Sequence, residues 1–358
     1  MQAAGESRPG TRAAIEPPGA GAGAVIHTAW IAPRVGVGDT RVMLGTSGVE
    51  PVVFESIYKE RVWGGRSLES AFGRHLPQAG GPFGEAWEIV DRPDDRGRVA
   101  AGEFAGRTLQ ELWSQQREEL FGAGLEGAGA DFPMLLKILD ARQALSVQVH
   151  PPASAVVELG GEAKTEMWYV LAAEPGAKLF VGVKEGVTRE VFERAVAEGR
   201  TEATLHVLEP KAGEFLFIPS GRLHAIGAGL LLFEMQQNSD TVYRVFDWNR
   251  VGLDGAPREL HTDQALACID FDDVAPSMGV AQGERLVDCD HFRVERWVIE
   301  PGAQRGGGEE RFALYTTIEG AVQCGASTFG SGRSFMLPVG GVPLESAAGA
   351  VVLRTTLP

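Results

Sequence analysis

Two separated stretches hold the residues of this chain best suited to chemistry. The first is Gln148-Val149-His150; the second runs Gly213-Glu-Phe-Leu-Phe-Ile-Pro219-Ser-Gly221-Arg-Leu-His224. In an extended chain, residues two apart share a face. Gln148 and His150 therefore project together with Ser146 beside them, while Leu145, Val147 and Val149 face the other way. His224 stands at the end of an apolar strand, just past a Pro/Gly turn. Two imidazoles and a carboxamide brought together predict a metal cavity. The competing reading is a hairpin that ends in a core histidine whose partners are all within the protein, because polar groups turned into a barrel must be satisfied somehow.

The second stretch has Gly, five residues, Pro, one residue, Gly, two residues, His. It resembles the second signature of the cupin superfamily at every fixed position except a later Asn. Each fixed residue has a physical reason. Gly213 allows the turn into the strand, Pro219 and Gly221 stiffen and sharpen its exit, and that turn aims His224 inward. Two further charged features stand out. Lys137 sits inside Leu135-Leu-Lys-Ile-Leu139, where a lysine either snorkels to the surface or lines a pocket. Lys164 and Glu166 lie two apart at the start of a strand and so share a face, as a surface ion pair would.

The elements that must position these groups are mostly strands. Val52 to Phe54 and Glu85 to Val90 read as strands. Thr108-Leu-Gln-Glu111 is a capping box that opens a helix running through Leu120, with Gly122 as its stop. Phe132 to Val149 reads as nearly continuous strand, and Thr188 caps a helix that ends at Gly199. Strands follow at Leu205 to Leu208, Phe215 to Ile218 and Leu230 to Gln237. Gly332-Arg-Ser-Phe-Met-Leu-Pro338-Val-Gly340-Gly-Val-Pro343 repeats the spacing of Gly213 to His224, with Pro343 where the histidine would stand. Phe312 to Gly320 echoes Trp168 to Gly176 with one inserted residue. The expected fold is mainly β: two cupin-like jelly-roll β-barrels with a few inserted helices, the first bearing chemistry and the second structural.

At 358 residues, with 44% apolar and 23% charged residues, the chain is long enough for two domains of a globular protein. A net charge of -15 and the lack of any Lys/Arg run argue against nucleic acid as a partner. Acidic small molecules remain open, since a few well-placed cations in a pocket decide that locally. Cys268, Cys289 and Cys324 are odd in number and lack CxxC pairing, which fits a reducing cytoplasm rather than a disulfide framework or a thiolate zinc site. No segment approaches the ~20 apolar residues of a membrane span. Residues 1–45, rich in Gly and Ala, read as a disordered extension and a poor signal peptide, with Met43 as an alternative initiator. Residues 46–265 form the expected catalytic cupin domain with helical insertions, and residues 266–358 a degenerate cupin-like domain.

Several ordered blocks then carry a closer resemblance. These are Tyr58-Lys-Glu-Arg-Val-Trp-Gly-Gly65, Leu135-Leu-Lys-Ile-Leu-Asp140, Leu145-Ser-Val-Gln-Val-His-Pro151, Lys164-Thr-Glu-Met-Trp-Tyr169, Pro219-Ser-Gly-Arg-Leu-His-Ala-Ile-Gly227 and Gln237-Asn-Ser-Asp-Thr-Val-Tyr-Arg-Val-Phe-Asp-Trp248. Together they resemble the short bacterial mannose-6-phosphate isomerases from about residue 50 onward, most densely between 135 and 250. Met167 and Asn249 depart from the family pattern without touching its ligand positions.

The resemblance implies a zinc enzyme that interconverts mannose 6-phosphate and fructose 6-phosphate, with one Zn2+ per chain held by Gln148, His150, Glu166 and His224. It makes Arg244 and Lys164 catalytic and puts Lys137 and Ser146 beside the substrate. Aldose–ketose exchange moves a proton between C1 and C2 through an enediolate, so it needs an electrophile, a base and a site shielded from solvent. Arg244 would stabilise the enediolate or hold the phosphate. The base stays open among a lysine of depressed pKa, Glu234, Asp240 and a metal-bound hydroxide. The alternatives are a non-catalytic sugar-phosphate-binding cupin and an iron-dependent cupin oxygenase.

Overall fold

The computed structural model describes residues 49–77 and 79–358. The expectations for residues 1–45 lie outside them. Eleven strands build the first barrel: β1 Ile57–Gly65, β2 Phe83–Ile89, β3 Met134–Ala141, β4 Val147–Val149, β5 Glu166–Ala173, β6 Leu179–Val183, β7 Leu205–Leu208, β8 Phe215–Ile218, β9 His224–Ile226, β10 Leu230–Gln237 and β11 Tyr243–Phe246. They form two antiparallel sheets, ordered β1-β2-β3-β10-β5-β8 and β11-β4-β9-β6-β7. Apolar side chains between the sheets, among them Trp63, Leu139, Trp168, Val181, Leu216 and Leu232, fill one end of the interior.

Alternation along β4 shows why the sequence pattern works. Val147 and Val149 point outward into a cluster that also takes in Phe192, Leu205, Ala265 and Cys268, so Gln148 between them must point inward. Counting from α1 Ser67–Phe72 and α2 Leu109–Gln115, the helices α3 Ala153–Leu159, α4 Arg189–Ala197 and α5 Thr262–Cys268 contribute to this outer layer. Thr188 caps α4 by accepting from the Val191 amide, as its sequence predicts.

The chain then enters a third antiparallel sheet, β12 Arg285–Asp288, β13 Arg293–Ile299, β14 Ala303–Arg305, β15 Ala313–Cys324, β16 Ser327–Gly330, β17 Ser334–Leu337, β18 Leu344–Ser346 and β19 Ala350–Thr356. Its order is β12-β13-β19-β15-β18-β14, with β16 and β17 also paired to β15. One apolar cluster joins the two barrels, from Ile89, Met167 and Phe233 to Leu314, Met336 and Leu353. Arg74, fully buried, pairs with Glu88 of the first barrel and donates to the Gly332 carbonyl of the second.

The mainly β, cupin-like architecture agrees with the sequence reading, and four local details differ. Val52 and Phe54 make only isolated bridges, to Met336 and Val99, instead of a strand. The run from Phe132 to Val149 breaks at 142–146, where the chain crosses from one sheet to the other. Helix α2, Leu109–Gln115, does open with the Thr108/Glu111 capping box. At Gln116 (φ -133°) it widens into one turn of π-helix, Arg117–Phe121, with Arg117 stacked 4.2 Å from the centroid of the Trp113 ring. The β15–β17 register sets Tyr315 opposite Phe335, as β5–β8 sets Trp168 opposite Leu216, so Tyr315 rather than Phe312 is the counterpart of Trp168. Among the described residues, no helix is long and apolar enough to cross a membrane.

Candidate metal centre

Strand register builds the site. Across one sheet Arg244, Gln148 and His224 stand side by side on β11, β4 and β9, followed by Val181 on β6. Directly opposed residues of an antiparallel sheet point the same way, so this row faces the interior together. Across the other sheet a row runs Trp87, Lys137, Glu234, Trp168 and Leu216, and Glu166 lies two residues from Trp168 on the same face of β5. The Pro219–Arg222 turn does what its sequence suggests. Gly221 adopts φ 91°, and its amide donates to the His150 carbonyl at 2.9 Å, tying the loop before His224 to the strand end that carries His150.

The two sheets bring His150, Glu166 and His224 together, their ligand atoms all within 4.8 Å of one another. Nε2 of His150 and of His224 each lie 3.5 Å from a Glu166 oxygen. Nδ1 of His150 donates to the Thr241 carbonyl at 2.8 Å, and Nδ1 of His224 to the Arg222 carbonyl at 2.9 Å. A carbonyl only accepts, so each ring carries its proton on Nδ1 and turns an unprotonated Nε2 inward. Burial, followed for His150 by the neighbouring Lys164 ammonium, lowers the pKa of that ring; burial takes His224 down to about 3. Both imidazoles are therefore neutral. Burial opposes the charge of Glu166, but the Lys164 ammonium holds its carboxyl well below the ordinary range.

Three of the atoms turned into this space, Nε2 of His150 and both carboxylate oxygens of Glu166, are buried without a hydrogen bond. Among the described residues, the Lys164 ammonium, 2.6 Å away, is the one charged partner of the Glu166 carboxylate once both imidazoles are neutral. Orphaned lone pairs on the His150 imidazole and the Glu166 carboxylate, beside the second neutral imidazole of His224, fit a divalent metal ion. The backbone bonds at Nδ1 are those that orient metal-binding histidines. Gln148 lies beside them, with Nε2 3.4 Å from His224 Nε2 and Oε1 accepting from Ser146 Oγ at 3.1 Å.

A cavity of about 570 Å³ reaches Gln148 and Lys164 beside this cluster, and is lined further by Lys137, Ser146, Glu234 and Arg244 among others. Lys137 is 4% exposed, so it lines the pocket instead of snorkelling. The Lys164–Glu166 pair is buried too, not superficial. Lys137 Nζ is 3.6 Å and Lys164 Nζ 3.8 Å from Glu234 Oε1, while Trp168 Nε1 donates to Glu234 Oε2 at 3.0 Å. Burial and the Glu166 charge raise the Glu234 pKa against the pull of the two lysines. Burial works against the Lys164 charge, yet Glu166 and Glu234 prevail and raise its pKa, so a depressed Lys164 is not what the structure holds. Arg244 donates from Nη1 to the Glu259 carbonyl at 2.7 Å. Leu145 also lines the cavity, contrary to strand alternation, because it belongs to the crossing at 142–146 and not to β4.

Sequence reasoning missed Glu85, Arg61 and Arg258 as cavity residues. Glu85 accepts from Arg61 Nε at 2.8 Å and from Trp87 Nε1 at 2.5 Å, with Lys137 Nζ 3.9 Å away. Burial opposes its charge, and Lys137 and Arg61 overcome that to hold its pKa at about 2. The signal that was available is the position of Glu85 two residues before Trp87 on one strand face, though no partner sat near it in sequence.

The model of the family described as phosphomannose isomerase type I, catalytic domain, matches residues 52–173. Mannose-6-phosphate isomerase ManA of Bacillus subtilis is 36% identical over 281 residues, covering 76% of this chain and 86% of the relative. The mannose-6-phosphate isomerase of Streptococcus mutans is 38% identical over 257 residues, 70% of this chain and 79% of that one. The crystal structure of the B. subtilis mannose 6-phosphate isomerase superimposes with a TM-score of 0.77 at 31% identity, covering 86% of this chain and 100% of that one.

Proposed function

Since this chain belongs to the type I phosphomannose isomerase family, we propose that it interconverts mannose 6-phosphate and fructose 6-phosphate through an enediolate, with one Zn2+ held by Gln148, His150, Glu166 and His224. The observation that carries the metal assignment is the set of buried, unpartnered ligand atoms on His150 and Glu166 beside His224. Gln148 joins the set with its carboxamide turned over, so that Oε1 takes the place of Nε2 while Ser146 Oγ accepts from the amide instead. Two imidazoles, a carboxylate and a carboxamide leave a dipositive ion with residual charge and room for an exchangeable ligand, as a catalytic site requires. A bound ion would supply Lewis-acid polarisation of the substrate's oxygens at C1 and C2.

The remaining work falls to the chain's own side chains. Lys137 and Lys164 present ammonium donors to sugar oxygens at the inner wall, and Ser146 fixes the carboxamide. Arg244, always cationic, stabilises negative charge on the enediolate or on the phosphate. Of the candidate bases, Glu234 fits best: its carboxyl is buried, its pKa is raised, and it is flanked by two ammonium groups able to pass a proton. The apolar wall of Leu139 and Leu145 limits exchange of that proton with water. Residues 46–265 form the catalytic unit in this reading and residues 266–358 the structural one, in a cytoplasmic setting that fits three free cysteines.

A coupled assay for fructose 6-phosphate made from mannose 6-phosphate tests the proposal, run with chelator and after zinc is restored. Activity lost to chelator and regained with zinc is expected. Oxygen uptake without isomerisation, or tight sugar-phosphate binding without turnover, would displace it.

A further inference from the structure

The two ends of the cavity differ in charge. At the inner end Lys137, Lys164 and Arg61 face Glu85, Glu166 and Glu234 at 2.6–3.9 Å, cation for carboxylate. With Asp240 also acting on Arg61 and Lys164, that end has no positive charge to spare before any ion enters. At the mouth, Arg244, Arg250 and Arg258 gather about one buried carboxylate, Asp247. Of the other acidic groups there, Glu259 is 84% exposed, and Asp254 turns Oδ1 back onto the Ala256 amide at 3.0 Å. Immediately about Asp247, three guanidinium groups share a single carboxylate.

Arg258 is held for a task. Its Nε donates to Asp247 Oδ2 at 2.7 Å and its Nη2 to Oδ1, a two-pronged bond that fixes the guanidinium plane. Asp247 is gripped from its other side by Arg250, through Nε at 3.1 Å and Nη2 at 2.8 Å, and Arg250 in turn donates to the Ala144 carbonyl. Trp248 Nε1 donates to the Leu145 carbonyl at 2.6 Å, beside Ser146. Trp248 and Asn249 both take φ 54°, a turn that non-glycine residues adopt only when their surroundings enforce it. Among the described residues, Nη1 of Arg258 has no acceptor, and neither has Nη2 of Arg244, although both arginines line the cavity.

We propose that Arg258, aimed by Asp247, binds the phosphate of the substrate at the cavity mouth and so selects phosphorylated over free sugars. A dianion meets an already oriented guanidinium fork there, one of three about a single carboxylate, while the inner end, with no positive charge to spare, receives the neutral, hydroxyl-bearing end of the sugar. The identity of the substrate rests on the isomerase reading; the anion site does not.

The test separates the two. Inorganic phosphate is titrated calorimetrically into the full chain and into R258A and R258K, and the same proteins are assayed with mannose 6-phosphate. For R258A the phosphate affinity falls about 30-fold or more and KM rises by a similar factor, with a smaller fall in kcat. R258K, which keeps the charge and loses the fork, lies between, and added guanidinium partly restores R258A. A folded R258A with unchanged phosphate affinity and KM overturns the proposal, as does a wild-type chain that binds no phosphate. Should R258A fail to fold, R258K decides, and an unchanged KM there overturns it as well. A wild type without turnover whose phosphate affinity still depends on Arg258 removes the isomerase reading and keeps the anion site.

Discussion

The two barrels run the same strand pairings with opposite contents. In the first, β5 sets Glu166 opposite Ile218 and Trp168 opposite Leu216; in the second, β15 sets Ala313 opposite Leu337 and Tyr315 opposite Phe335. Glu234 pairs with Lys137 and Trp168 on its flanks, while at the matching place Arg354 pairs with Glu295 and Tyr315. The clustered glutamate has become alanine, the ion pair has changed sign, and Pro343 stands where His224 would. Tyr315 stacks on Phe335, with centroids 5.5 Å apart, and Phe335 on Phe329 at 3.9 Å, so aromatic rings occupy the space that a cavity takes in the first barrel. The backbone framework therefore tolerates either a polar cavity or a dry core, and a handful of inward side chains decides which.

Breaking the chemical barrel has the largest expected effect. Glu166→Gln removes the only carboxylate among the three clustered ligands, and turnover falls about 10²–10³-fold or more with loss of bound metal, read by steady-state kinetics beside elemental analysis. Tyr315→Ala, its mirror in the structural barrel, lowers stability by about 3–5 kcal/mol in denaturant melts. Its kcat per folded molecule stays at the wild-type value. A large loss of kcat in Tyr315→Ala would erase the division of labour between barrels.

The pH dependence of the metal-free chain sharpens the same contrast. His224 titrates at 6.5 in the unfolded chain and at about 3 in the fold. Between those values the unfolded state binds more protons, so stability declines as pH drops from 6.5 toward 3. The depressed Glu166 carboxyl adds a loss of the same sign below its unfolded value of 4.5. His224→Gln flattens the upper part of this decline in thermal melts, and no comparable group titrates at Pro343. The smallest expected effect is that of Ser146→Ala, a few-fold rise in KM from a less firmly held Gln148, measured with mannose 6-phosphate.

Much of the site was legible because strand alternation is rigid: Gln148 faces inward since Val147 and Val149 are needed outside. The turn at Pro219 and Gly221 was readable for a like reason, its φ values admitting few residue types. What escaped depends on contacts distant in sequence. Glu85 finds Lys137 across a strand pair, and Arg258 finds Asp247 across a turn with two left-handed residues that nothing local announces. Leu145 was turned the wrong way because the crossing at 142–146 carries neither Pro nor Gly to mark it. The three-residue offset in the echo arose since the repeated Gly/Pro turn fixes β17 and not its partner β15.

The most direct trial is a zinc titration of the metal-free chain beside His150→Ala and His224→Ala, followed by calorimetry and X-ray absorption. One tightly bound equivalent with mixed nitrogen and oxygen ligands, greatly weakened in both variants, is the expected result. Equal binding by all three proteins, or none by the wild type, would contradict a metal centre at the meeting of the two sheets.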